Sequence, residues 1–224
     1  MNLWHENDQF IMAHLLQSDP ILENVLATSR AAARARGWPD MEVSPTQGKF
    51  LHLLAAIKGA TRILELGTFV GYSTIWLARA LPANGQLVSL EFDPDIAATA
   101  RQNIADAGLC KQVDIRQGDA AVLLEQMIAA NEAPFDMIFI DADKPAYPTY
   151  LRLVLPLAKA GTVIVSDNII RDGELCNANN PDPKVAGVRT FIQDLGKTPG
   201  LASSALQTVG IKGYDGFSVS VVQG

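Results

Sequence analysis

The chain has 224 residues, 48% of them hydrophobic, and a formal net charge of −6. That length suits one α/β domain with a full core and a small extension. The negative balance argues against a nucleic-acid backbone as the main partner. No window reads as an uncharged membrane span, and Met1 to Phe10 is polar and mixed rather than cationic then apolar. Two cysteines, Cys110 and Cys176, make no disulfide framework and lack metal-site spacing. The expectation is a soluble, cytoplasmic protein with no membrane or nucleic-acid partner.

Residues 1–43 read as a helical extension, with Ile11, Leu15 and Leu16, then Ile21, Leu22, Val25 and Leu26, at helical spacing. The run Arg30, Arg34 and Arg36 reads as a solvated face of the second helix. Ser44-Pro45-Thr46-Gln47 is a helix start, with Ser as cap, Pro at the first position and Gln closing a capping box. The core then runs from residue 44 to 224 as one domain. Strands are expected at Ile63–Leu66, Gln86–Phe92, Val113–Arg116, Phe135–Ile140 and Thr162–Val165, alternating with helices. The Tyr150–Leu157 helix must kink or end at Pro156. Residues 171–184 form a loop long enough to suspect of function. A helix over Val185–Leu195 precedes Ala205–Val209 and Phe217–Val222, an antiparallel pair about a turn region spanning 210–216.

The organising stretch is Arg62 to Ser73. A short apolar strand containing Glu65 runs into a glycine-punctuated turn from Gly67 to Gly71, and a helix follows, as in the opening of a nucleotide-binding βαβ unit. Phe69 and Tyr72 break the dinucleotide fingerprint, which disfavours an NAD-linked dehydrogenase. An acid inside the strand would repel a pyrophosphate and suits a ligand with an ammonium or sulfonium group.

Ligands of parallel α/β sheets bind beyond the C-terminal strand ends, and Glu65, Glu91, Asp119, Asp141 and Asp167 lie at or near five successive ones. Glu91 follows Glu65 at close to the separation at which an acid meets ribose hydroxyls. Asp141, Asp167 and Asn168 would converge if the strands ending at 140 and 166 are neighbours. Three oxygens without His or Cys suit a hard divalent ion such as Mg²⁺. Lys144 then reads as a base whose pKa a nearby cation and partial burial would lower.

From about Ser44 onward the chain resembles the cation-dependent class I O-methyltransferases that use S-adenosylmethionine, the caffeoyl-CoA and catechol enzymes. The resemblance is carried by Glu65-Leu66-Gly67-Thr68-Phe69-Val70-Gly71-Tyr72-Ser73, Asp141-Ala142-Asp143-Lys144 and Asp167-Asn168. It implies a Rossmann-like, mostly parallel α/β sheet with an antiparallel C-terminal strand, helices on both faces and a homodimeric assembly. It implies further that Asp141, Asp167 and Asn168 hold Mg²⁺, Mn²⁺ or Ca²⁺, and that Lys144 deprotonates the acceptor hydroxyl. Val43, Glu65, Gly67, Thr68, Ser73, Glu91, Ala120 and Asp141 would surround the cofactor, with Glu91 on the ribose. The acceptor would be a small catechol-like or hydroxycinnamoyl-type molecule. In the plant caffeoyl-CoA enzymes an aromatic follows the Asp-Asn pair where this chain has Arg171. The competing readings are a metal-independent methyltransferase of the same fold and a non-catalytic cofactor-binding module, for which Lys144 would be dispensable.

Overall fold

Four helix starts share one device, a capping side chain followed by proline: Asp19-Pro20, Ser44-Pro45, Asp93-Pro94 and Asp182-Pro183. The cap oxygen accepts backbone N–H groups of the first turn, and proline's missing N–H is lost where no helical partner exists. In the computed structural model, which describes residues 3–224, these starts set most of the helical frame. Residues 1 and 2 of the expected extension lie outside the described residues. The extension comprises α1 (Leu3–Leu15) and α2 (Pro20–Ala35), and α3 (Pro45–Lys58) leads into the sheet. The Gln47 side chain does not close a capping box; it hydrogen-bonds toward Asp167 instead, while its backbone N–H meets Ser44 Oγ at 3.2 Å.

Strand and helix alternate from there as β1 (Arg62–Leu66), α4 (Tyr72–Ala78), β2 (Gln86–Glu91), α5 (Pro94–Asp106), β3 (Val113–Gln117), α6 (Ala120–Ala129) and β4 (Phe135–Ile140). They continue as α7 (Tyr147–Val154), β5 (Ala158–Ser166), α8 (Pro183–Lys197), β6 (Leu201–Gly210) and β7 (Gly213–Val222). The sheet order is β3-β2-β1-β4-β5-β7-β6. β1 to β5 run parallel, β7 is antiparallel to β5, and β6 is antiparallel to β7. Strand order reverses between β1 and β4, so the crevice of the sheet opens there, outside their C-terminal ends.

Alternating side chains send each strand's apolar residues to two cores. Ile63, Met137 and Phe139 pack under α2 to α5 on one face, while Leu64, Leu66, Ile138 and Ile140 pack under α6 to α8 on the other. Several boundaries differ from the expectation, among them the start of β5, at Ala158 rather than Thr162. α7 begins at Tyr147 and ends at Val154, with Pro156 in the 3₁₀ turn Leu155–Leu157 that follows. The C-terminal hairpin is far longer than read, because β6 is exposed along nearly its whole length and so carries no burial alternation. Its turn is Ile211-Lys212, with Asp8 of α1 accepting the Ile211 N–H at 2.7 Å.

Candidate active site

The crevice is a cavity of about 1210 Å³ over the C-terminal edge of the sheet. Gly67 stands at its floor with φ at 93°, and a Cβ there would lie 2.0 Å from the Asp141 carbonyl oxygen. No other residue fits that crossing of the β1 and β4 ends. Val43, Thr68, Ser73, Glu91 and Ala120 line the cavity with Gly67, and so do Asp141, Lys144, Asp167 and Asn168.

Glu65 does not line it. Fully buried in β1, its carboxylate accepts hydroxyls from Ser73 at 2.6 Å, Thr74 at 2.5 Å and Ser89 at 2.6 Å. Burial raises its pKa to about 7 even though the three hydroxyls pull the other way. Its reach into the cavity is through Ser73. Ser89, missed in the sequence, is the register partner of Glu65 on β2, a relation that strand pairing would have exposed.

Glu91 faces the cavity from the end of β2. One carboxylate oxygen accepts the Phe69 N–H at 2.8 Å and the other accepts the Asp93 N–H at 2.9 Å. Each oxygen keeps further lone pairs for hydroxyl donors from a ligand. Burial is the largest influence on this group and leaves its pKa raised. Phe69 sits at a φ of 46°, unusual for a bulky residue, and this turns its N–H toward Glu91. Asp119 caps α6 through the Val122 N–H and lines the same side.

The other side is built where β4 and β5 end. Ile140 and Ser166 are register partners, so Asp141 and Asp167 leave the sheet side by side. The Asp167 N–H donates to the Ile140 carbonyl at 3.0 Å, and Asn168 follows at a φ of 53°. Burial and the Asp141 charge push Asp167 up to about 7. Lys144 Nζ lies 2.6 Å from Asp141 Oδ1. The lowering expected of Lys144 depends on a bound cation; the protein groups alone act in the other direction. Burial is the largest influence and pulls its pKa down, but Asp141, Tyr147 and Asp167 together outweigh it and hold it above the usual lysine range.

Tyr147 is a second residue that the sequence reading missed. Its hydroxyl, wholly buried, donates to the carbonyls of Ile140 at 3.1 Å and Asp167 at 3.0 Å, tying the two strand ends together. Lys144 Nζ lies 5.1 Å above its ring. The three-residue step from Lys144 to Tyr147 at a helix start was the available signal.

Among the described residues no three His, Cys, Asp or Glu side chains form a metal-binding group. The oxygen set here is two carboxylates and an amide. Its chemistry fits a hard divalent cation, because two adjacent acids share one lysine and burial works against ionisation of Asp167.

A mixed sheet with a glycine turn at the switch point and an acid-lined crevice defines a Rossmann-like enzyme. Residues 16–218 match the family model described as O-methyltransferase. The chain is 51% identical over 199 residues to a catechol O-methyltransferase of Niastella koreensis, covering 89% of this chain and 90% of that one. It is 42% identical over 216 residues to a catechol O-methyltransferase of Mycobacterium tuberculosis, covering 96% and 94%. The structure of an O-methyltransferase from Bacillus cereus in complex with SAH matches with a TM-score of 0.94 at 46% identity, over 98% of both chains. This chain belongs to the O-methyltransferase family.

Proposed function

We propose that this chain transfers a methyl group from S-adenosylmethionine to a hydroxyl of a catechol-like or hydroxycinnamoyl-type small molecule, with a divalent cation required. One observation carries the reading: Asp141, Asp167, Asn168 and Lys144 share a cavity with Gly67, Thr68, Ser73 and Glu91. Relatives named for catechol methylation, and the SAH held by the Bacillus cereus protein, support it.

Gly67, Thr68, Ser73 and Ala120 would line the cofactor, with Val43 closing over it and Glu91 accepting its ribose hydroxyls. Glu65 acts from behind by orienting Ser73. Asp141, Asp167 and Asn168 would hold the cation, Mg²⁺ first among Mg²⁺, Mn²⁺ and Ca²⁺. When bound, the cofactor supplies an electrophilic methyl group and the cation lowers the pKa of an acceptor hydroxyl. Lys144 Nζ is placed to take the hydroxyl proton. While Asp141 faces it that nitrogen stays protonated, so proton transfer requires the carboxylate's charge to be drawn elsewhere. We further propose a cytoplasmic homodimer, since α1 leaves Leu3, Phe10 and Leu15 exposed.

The experiment is methyl transfer to a simple catechol. A chelator should abolish turnover, and Mg²⁺, Mn²⁺ or Ca²⁺ should restore it; full activity in chelator removes the cation from the reading. Lys144→Arg keeps the charge but cannot release a proton near neutral pH, so the rate should drop by about 10²–10⁴-fold with cofactor affinity little changed. Wild-type turnover in that variant would end the assignment of Lys144 as base.

A further inference from the structure

The 171–184 loop begins and ends on a cation that lines the cavity, Arg171 at one end and Lys184 at the other. Two more cations line it, and both are engaged. Lys144 pairs with Asp141, while Lys212 lies 3.8 Å from Glu42 and donates to the Asp40 carbonyl. No ion pair among the described residues engages Arg171 or Lys184. Arg171 Nε is buried, with no hydrogen-bond partner among the described residues.

The backbone around Arg171 is constrained. Arg171, Asp172 and Gly173 take consecutive left-handed angles, with φ at 53°, 56° and 88°. Two of the three are non-glycine residues, for which such angles are costly. Asp215 stabilises the turn, its Oδ1 accepting the N–H groups of Ile170 at 2.9 Å, Arg171 at 3.2 Å and Gly216 at 2.9 Å. Asn168, a proposed cation ligand, stands three residues earlier. The guanidinium is therefore carried on a fixed turn at the acceptor side of the cavity. Among its charged lining residues the cavity is mostly acidic, with Asp8, Asp40, Glu91, Asp119, Asp141 and Asp143 among them. An anion placed elsewhere in the cavity would be repelled, which localises it at the two unpaired cations.

We propose that Arg171, assisted by Lys184, binds a carboxylate carried by the acceptor itself, so that the substrate class is acidic catechols rather than neutral or cationic ones. The inference rests on the methyl-transfer reading of the same cavity. A planar guanidinium suits a carboxylate because two N–H groups can meet its two oxygens.

The test compares catechol, a vicinal dihydroxybenzoate, a catecholamine and a hydroxycinnamoyl-CoA thioester, using the full chain with S-adenosylmethionine and Mg²⁺. The dihydroxybenzoate should exceed catechol in kcat/KM by about tenfold, the size of one charge-assisted contact, and the catecholamine should fall below both. Arg171→Gln should bring the first ratio to about one, chiefly through KM, and Arg171→Lys should keep most of it. A wild-type ratio of one or less, or a ratio unchanged in Arg171→Gln, overturns the proposal. A preference for the thioester alone also overturns it, since that molecule's anions lie on the carrier. Should no acceptor be methylated, calorimetric titration of the same compounds with SAH and Mg²⁺ separates the two readings. Tighter, Arg171-dependent binding of the dihydroxybenzoate then upholds the acidic acceptor and removes methyl transfer; equal or absent binding overturns both.

Discussion

Glu65 shows what a single residue does here at a distance from the ligand. Three hydroxyls converge on its carboxylate, from α4 and β2, so the acid organises the turn instead of lining the cavity. Its pKa, raised to about 7 from 4.5, makes it a source of pH-dependent stability. Between those two values the folded protein holds a proton that the unfolded chain has released, so stability falls as pH rises through that window. Across it the loss amounts to at most about 3 kcal/mol, at 1.36 kcal/mol per pH unit. Urea unfolding of cofactor-free protein at pH 5 and pH 8 should show this decline, and Glu65→Gln should show a smaller one, since Asp167 and Glu91 are raised as well. Parallel declines in the two proteins would mean that Glu65 is ionised throughout.

At the scale of elements, the site depends on how two strand ends are held together. β4 and β5 are adjacent in the sheet, but each ends in a loop that could splay. The Tyr147 hydroxyl, at the first residue of α7, shares one proton between the last carbonyl of β4, at Ile140, and that of Asp167 just past β5. Gly187 on α8 packs against the Lys144 carbonyl so closely that a Cβ would come within 2.4 Å of it. Lys144 is thereby fixed from two helices. Tyr147→Phe should cost about 1 kcal/mol of stability, the net worth of one hydrogen bond. Its larger effect should be on cation affinity, since Asp141 and Asp167 lose their common anchor, while S-adenosylmethionine affinity stays close to wild type. Calorimetric titration with Mg²⁺ checks this. A variant that loses stability but binds the cation normally would reduce Tyr147 to core packing.

For the whole molecule, the unpartnered surface lies on the N-terminal extension and the hairpin edge. α1 contains no buried residue, and β6 exposes Leu206 and Val209 beside its unpaired edge. A long exposed edge strand is ordinarily covered or blunted, and burying such residues against a second copy would satisfy both elements. Light scattering should report a dimer for the wild-type chain and a monomer for Phe10→Asp combined with Leu15→Asp. A wild-type monomer at tens of micromolar would reject the assembly.

What could be read from the chain alone was local and repetitive. The four cap-proline starts, the alternation of strand and helix and the glycine turn each depend on neighbours within a few residues. The same holds for the acids at the strand ends, since a parallel sheet gathers those ends on one edge. The helical spacing of Ile11, Leu15 and Leu16 identified α1, but not that its apolar residues would remain exposed. Periodicity reports a face and says nothing of what meets it. Only the tertiary structure decided that Glu65 stands behind the cavity, that Gln47 turns to Asp167, and that Lys144 pairs with Asp141. It also decided that Tyr147 joins two strand ends and that Arg171 lines the cavity with no ion pair among the described residues. Each of these depends on groups that strand pairing or helix docking brings together, so the free energy that places them belongs to the packed sheet and to no segment of the chain.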